Sequence, residues 1–498
     1  MPLLIQLNNP YLIDLPLLVV ERLGYLKKGQ NHNTSLTEGQ FNKALHILDR
    51  LLKNQERKVG DFSTYYPLPN QYLQKIDSNF HPLIKKLKIA GILQVYSADG
   101  TGRESYSKEN GLCKAYRIAP LLFKEGSTQV IAKAQPKGMG HRMAPEPLNS
   151  QVKQDLSRLH FDIKGAKQWV NNYLSYLDLS RWLVNEDSPE YRANVRLERT
   201  REGYSQPTPS KRVYRAQQLV DEVAARQDGT AVFKLNDGYV LTTPAEFRTR
   251  KTAFLRYYYD KVIQKLENRE YWTSQSDTNQ RLHHNLTELP KKLLDFLTVG
   301  GEALAEVDIA NSQVALLAHV LQHGDVLALG IEFPKCPLTI QVQNFLEDAR
   351  KGVVYDQLAN ELAGADREVA KMEVIRWLFS GPGYVLPKIS PLAQRYGEVV
   401  QWVKQVKKVL QQEAVLRDDP KLGLAVYLQR FEAKVMIEQV YPKAKERNLT
   451  LFSKHDSFLV PFSQAQEVQE LMHEVLANQG IVLNCRYKAA PVALTMAA

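Results

Sequence analysis

The sequence predicts an α+β fold that is mainly helical. Three observations carry that expectation: apolar residues recurring at helical spacing, short strand-like runs bounded by turn residues, and two Gly/Pro-rich breaks. The 498 residues leave room for roughly two to four domains, each with its own core. An apolar fraction of 44% and a charged fraction of 24% are ordinary for a globular protein and exclude global disorder.

The N-terminal stretch Met1–Val20 is apolar but carries Asn8, Asn9, Pro10, Asp14 and Pro16, with no basic start before an unbroken apolar run. Neither a signal peptide nor a membrane span is expected there. A helical stripe follows from Leu36 to Leu52, with Phe41, Leu45, Leu48 and Leu52 on one face. From Pro67 to Phe123 the order reads helix, helix, strand, turn, strand, with Ile92–Tyr96 and Cys113–Ile118 extended and Asp99-Gly100 as turn residues. That order predicts a winged helix-turn-helix module. Lys85, Lys86 and Lys88 on its second helix are the candidate groove-reading cations, and a small packing domain is the alternative. Gly126–Pro147, rich in Gly, Pro and Lys, reads as a linker, and Gly203–Ser210 is a second break. The expected domains are therefore 1–125, a linker and helical region at 126–212, and 213–498.

Charge is divided unevenly. Of the net +11, the whole excess lies in residues 1–215, with 32 Lys/Arg against 20 Asp/Glu, whereas residues 216–498 hold 33 against 34. A basic module joined to a near-neutral one suggests a part that grips a polyanion and a part that does chemistry; a solvated basic surface is the alternative. Cys113, Cys336 and Cys485 show no paired spacing, which argues against a zinc knuckle or a disulfide framework and points to a reducing, cytoplasmic setting.

The chemistry lies in the last part. Phe247–Arg256 is basic and is followed by Tyr257, Tyr258 and Tyr259, either stacking faces of a nucleic-acid channel or helix core. Arg281 and Asn285 sit in a polar loop before a helix starting near Pro290. Leu304–Asp308 is a strand ending in an aspartate, followed by a helix over Asn311–Gln322. Leu449–Phe452 and Phe458–Val460 form a hairpin whose turn holds His455 and Asp456. Arg367 and Lys371 share one face of a helix, one turn apart. Two acidic strand ends and a basic helix are what nucleotide polymerisation needs. The carboxylates of Asp308 and Asp456 are expected to hold two magnesium ions about 3.5–4 Å apart, with manganese as a substitute. One ion would activate a primer 3′-hydroxyl and the other would neutralise the leaving pyrophosphate. Arg367 would grip the triphosphate as a fork and Lys371 as a point charge. Turn or cap chemistry is the plainer reading of the two aspartates.

Arg281-Leu-x-x-Asn285 followed by Leu289-Pro290, then Asp308, Arg367-x-x-x-Lys371, Gln429 in Leu428-Gln-Arg-Phe-Glu432, and His455-Asp456, stand in the order of the motifs of family A DNA polymerases. Together they resemble the palm and fingers of the clan that holds those enzymes and the bacteriophage single-subunit RNA polymerases, over roughly residues 215–498. The resemblance implies a right-hand core, a palm sheet with helical fingers; the first 215 residues share none of it, and the basic winged-helix-like region and the thumb-like helical segment at 126–212 are read from the residues alone. It implies a DNA template and primer as partners and nucleoside triphosphates as substrates, with Arg281, Asn285, Gln429 and His455 facing nucleic acid. No proofreading exonuclease signature is present. A plasmid, phage or other mobile element would suit such a chain.

The choice of sugar is divided. Where the family carries a tyrosine with a glycine after it, this chain has Phe379 and Ser380, with Gly381 one place late, and Ile375 stands where an aromatic is usual. Phe379 has no hydroxyl for a ribose, and the bulky Gln313, five residues after Asp308, leans toward deoxynucleotides as well. Ser312 and the triplet His455-Asp456-Ser457 look more like the RNA-polymerising branch. The expectation is a DNA polymerase using dNTPs. The alternatives are an RNA polymerase or primase using NTPs, and a degenerate, DNA-binding replication protein.

Overall fold

The computed structural model of the protein describes residues 10–28, 35–54, 65–96, 114–123, 128–134, 141–142, 144–185, 211–226, 228–235, 238–361, 367–386, 390–419, 421–481 and 485–488. The chain divides into two compact units, Met1–Lys137 with Lys164–Gln264, and Gly138–Ile163 with Lys265–Ala498. This division differs from the one expected. The helix Pro244–Glu267 sends Phe254 and Tyr257 into the N-terminal core, which draws the preceding segment into the first unit. Tyr257 is thereby a core residue and not a stacking face.

In the first unit the Leu36–Leu52 stripe folds as the helix Glu38–Asn54. A reciprocal cap starts it: Gln40 N–H donates to Thr37 Oγ1 at 3.2 Å and Thr37 N–H to Gln40 Oε1 at 3.3 Å. Leu45, Leu48 and Leu52 pack in one core with Leu83 and Leu87 of the helix His81–Ile89. Helices Asn70–Ile76 and His81–Ile89 precede strands Leu93–Val95 and Ala115–Ile118, which pair antiparallel, and Tyr66–Pro67 joins the far edge of Ala115–Ile118. Asp99-Gly100, Cys113 and Gly203–Ser210 lie outside the described residues.

Two expectations need correction here. Thr128–Ala134 is a strand paired antiparallel with Pro10–Pro16, so Gly126–Pro147 is not a linker throughout; the β-branched Thr128, Val130 and Ile131 outweigh the surrounding Gly and Pro. Lys86 does not serve as an outward cation, because its Nζ donates to the Ser35 carbonyl at 2.6 Å and to Gln40 Oε1 at 3.0 Å. Lys85 is exposed and Lys88 half-buried.

The second unit is built on a six-stranded antiparallel sheet of β1 (Leu159–Phe161), β2 (Leu297–Val299), β3 (Glu302–Ile309), β4 (Phe452–Lys454), β5 (Ser457–Pro461) and β6 (Cys485–Lys488). The order is β4-β5-β3-β2-β1, with β6 also paired to β3. Along β3, Ala305, Val307 and Ile309 are buried at alternate positions, which leaves Glu306 and Asp308 on the opposite face. Three helices matter for the site: α1 (Ser312–His323), α2 (Arg367–Phe379) and α3 (Leu424–Val435). The entry to α1 is set by a close approach. Gly352, at φ +69° after the helix Ile340–Lys351, lies so near that a Cβ there would sit 2.8 Å from the Ala310 Cβ. Among the described residues no helix is long and apolar enough to cross a membrane.

Candidate active site

Strand pairing brings the two aspartates together. The β3–β5 register sets Asp308 opposite Ser457, and the Ile309 N–H donates to the Asp456 carbonyl at 3.3 Å. His455 and Asp456 form a two-residue hairpin loop, and His455 takes the left-handed φ of 64° that such a loop needs at its first position. For a non-glycine residue that conformation is strained, and strain of this kind collects at functional sites.

The turn after β3 connects three elements through three consecutive residues. Asn311, also left-handed at φ 53°, accepts a hydrogen bond on Oδ1 from Arg367 Nη2 of α2 at 3.2 Å. Ser312 Oγ donates to Asp456 Oδ2 at 2.6 Å, and Gln313 Nε2 donates to Glu432 Oε2 of α3 at 2.6 Å. Glu432 is 1% exposed and receives a fork from Arg281, Nε to Oε1 at 2.7 Å and Nη2 to Oε2 at 2.8 Å. Burial pushes its carboxyl up to about 7; Arg281 opposes this shift and the Asp456 charge adds to it. Gln429, half-buried one turn before Glu432, accepts from Asn279 Nδ2 at 3.2 Å. Four buried polar atoms near this turn have no hydrogen-bond partner: Asn311 Nδ2, Gln313 Oε1, Ser453 Oγ and His455 Nδ1. Burial, then the nearby Arg281, lowers the His455 imidazole to about 4.

On α2, Arg367 lies 2.9 Å from Asp356, and Lys371 lies 3.7 Å from Glu368. Both cations are partly exposed, and surface pairs of that kind contribute little to stability. Phe379 ends the helix at 42% exposure. A cavity of about 200 Å³ near that end is lined by Trp377, Tyr384, Lys404 and Lys407 but by none of the residues around the aspartates. Its buried Lys407, lowered to about 8 by desolvation, donates to the Trp377 carbonyl and so caps the helix.

One expected residue stands elsewhere. Asn285 accepts from Trp272 N–H and donates to the Glu270 carbonyl, both at 2.9 Å, so its amide holds local backbone and its reading as a nucleic-acid contact is withdrawn. Glu432 and Asn311 were not singled out as site residues in advance, and Ser312 was read only as a feature of the RNA-polymerising branch. For Glu432 a signal exists: it falls in the apolar stripe Leu424, Leu428, Phe431, Val435, where a carboxylate needs a partner.

His284 supports the hairpin from behind. It is 0% exposed; Nε2 donates to the Ser453 carbonyl at 2.7 Å and Nδ1 accepts from Leu286 N–H at 3.3 Å, which fixes the neutral tautomer. Burial lowers it to about 4 from 6.5. A depressed folded-state value gives stability that is whole above pH 6.5 and lost as pH falls toward 4, on the order of 3 kcal/mol. Chemical unfolding at pH 7 and pH 4.5 should show that loss in the wild type and a flatter dependence in His284→Gln; equal pH dependence would refute it.

Among the described residues no three or more His, Cys, Asp or Glu side chains gather as a metal cage. Two carboxylates are still a donor set of the kind magnesium takes, since it binds through one or two carboxylates and keeps several waters.

No family model matches the sequence, and no curated protein does. Among solved structures the chain is similar to the POL domain of Pol1 from M. smegmatis in complex with DNA primer-template and dNTP. The identity is 14% and the TM-score 0.29, over 70% of this chain and 66% of that one. A likeness of that size fixes neither the fold nor the activity of this chain.

Proposed function

We propose that the chain is a template-directed nucleotidyltransferase whose basic first unit binds DNA. The observation that carries this reading is the β3–β5 pairing, which sets Asp308 and Asp456 at neighbouring strand ends beside a turn bonded to Arg367. Asp308 and Asp456 would hold the divalent ions, which when bound supply Lewis-acid activation of a 3′-hydroxyl and charge neutralisation at pyrophosphate. Ser312 orients the Asp456 carboxylate. Arg367 and Lys371 exchange their surface carboxylates for triphosphate oxygens, and Arg281 and Gln429 stand on the primer-template side. In the first unit, the helix His81–Ile89 presents Lys85 outward and precedes an antiparallel strand pair, an arrangement suited to a DNA groove.

The test is incorporation by the purified chain on primed and unprimed DNA, with dNTPs or NTPs, in Mg²⁺ and in Mn²⁺. Product whose sequence follows the template is expected. Binding of DNA with no incorporation under any of these conditions would leave a DNA-binding replication protein instead.

A further inference from the structure

The cavity of about 200 Å³ beyond the end of α2 is bounded by Trp377, residues 382–386 and the helices Pro391–Arg395 and Gly397–Leu416. Lys404 and Lys407 are the charged residues of its lining, which holds no acidic side chain. Lys404 is exposed, whereas Lys407, one turn further along the same helix, is 7% exposed. A buried ammonium normally faces a carboxylate. Among the described residues Lys407 faces none: its Nζ donates to the Trp377 carbonyl at 2.5 Å and to Ser380 Oγ at 3.2 Å, both neutral. Desolvation, with no charge opposing it, holds this ammonium down at about 8. An ammonium has three protons, so one is left over on a side chain that lines the cavity. The other walls are apolar, with Trp377, Leu386 and Val403 buried and Val385 73% exposed. Arg367 stands ten residues before Trp377, about 15 Å along the axis of α2, so the cavity is separate from the cations at the start of that helix.

We propose that this cavity binds a small organic acid, a single carboxylate on an aromatic or branched aliphatic body, with the carboxylate on Lys407 Nζ and the body against Trp377, Leu386 and Val403. The ligand class follows from the lining. One desolvated cation calls for one negative charge, and inorganic phosphate would have to shed its hydration against apolar walls that return no hydrogen bonds. The volume falls below the roughly 300–1,000 Å³ of sites for drug-sized ligands, so the acid is small. The site does not depend on the nucleotidyltransferase reading.

The experiment is a ligand-detected NMR titration of the full chain with benzoate, its neutral isostere benzamide and inorganic phosphate, in the wild type, Lys407→Met, Lys404→Met and Ala393→Phe. Benzoate should bind the wild type, and benzamide and phosphate should bind about tenfold more weakly or worse, the factor that a hydrogen bond to a charged group carries. Lys407→Met should lose that factor for benzoate and change benzamide far less, a difference that loosened packing alone would not produce. Ala393→Phe keeps both lysines but fills the space, and should exclude both aromatic ligands. A smaller folded fraction alters the amplitude of each titration and not its midpoint. Benzamide binding as tightly as benzoate, or benzoate binding Lys407→Met as tightly as the wild type, overturns the inference. Loss of binding in Lys404→Met alone would mark an ion contact at the surface, and no benzoate binding in the wild type would leave Lys407 as a helix cap; either result also overturns it. Each of these outcomes leaves the polymerase reading intact.

Discussion

Replacing Asp308 or Asp456 by alanine is expected to lower nucleotide incorporation by about a thousandfold or more while the protein stays folded. Transfer of a phosphoryl group depends almost entirely on positioning and charge stabilisation, and removing one such element costs about 10³ to 10⁵ in rate. A thousandfold loss is about 4 kcal/mol of barrier. Stability should respond far less. Asp308 lies on the face of β3 opposite Ala305, Val307 and Ile309, and Asp456 lies in a hairpin turn, so neither truncation opens the core. Alanine at 456 does strand the Ser312 hydroxyl, which is 6% exposed and donates to the lost carboxylate. Asp456→Asn separates the two effects, because an amide oxygen still accepts from Ser312 but binds a divalent cation weakly. Incorporation and thermal unfolding measured side by side decide the matter. Activity kept in both alanine variants would sink the two-aspartate site, and so would activity lost only in proportion to folded protein.

What could be read from the sequence follows the range of the interactions involved. The strand ending at Asp308 and the hairpin holding Asp456 were legible because alternation and a two-residue turn are local patterns. The Thr37–Gln40 cap, likewise local, starts the helix where the apolar stripe places it. Glu432 carries one local signal, a carboxylate within an apolar stripe, but its place in the site was not legible because its partners, Arg281 and Gln313, lie 151 and 119 residues away, beyond any spacing rule. Lys86 and Asn285 were misread for the opposite reason. Each has the type and setting of a nucleic-acid contact, but backbone carbonyls and amides from neighbouring segments had already claimed its polar atoms. Composition also misled at Gly126–Pro147, where Gly and Pro concealed a strand whose partner lies over a hundred residues upstream.

The largest loss of stability is expected from Asp155→Ala, far from the aspartates in sequence yet tied to their support. Asp155 is 2% exposed; it pairs with Lys445 and accepts from the buried Tyr441 hydroxyl at 3.1 Å. Burial holds the Lys445 ammonium below its usual value, with the Asp155 charge opposing that shift. Removing the carboxylate therefore leaves a desolvated cation alone, a change that costs about 3–5 kcal/mol. For a unit of this size that is a fall in Tm of about 10 °C. The same anchor reaches the hairpin that holds Asp456. Lys445 Nζ also donates to the Leu449 carbonyl at 2.8 Å, and Arg158, one turn after Asp155, donates to Thr450 Oγ1 at 2.8 Å, two residues before β4 begins. Incorporation should thus fall at temperatures where the wild type is still fully active. Because an apolar pair of similar volume often equals or exceeds a buried ion pair, the double variant Asp155→Leu with Lys445→Met should recover most of the lost Tm. If instead the double variant is as unstable as Asp155→Ala, the cost lies in the lost Tyr441 hydrogen bond and packing and not in the isolated Lys445 charge.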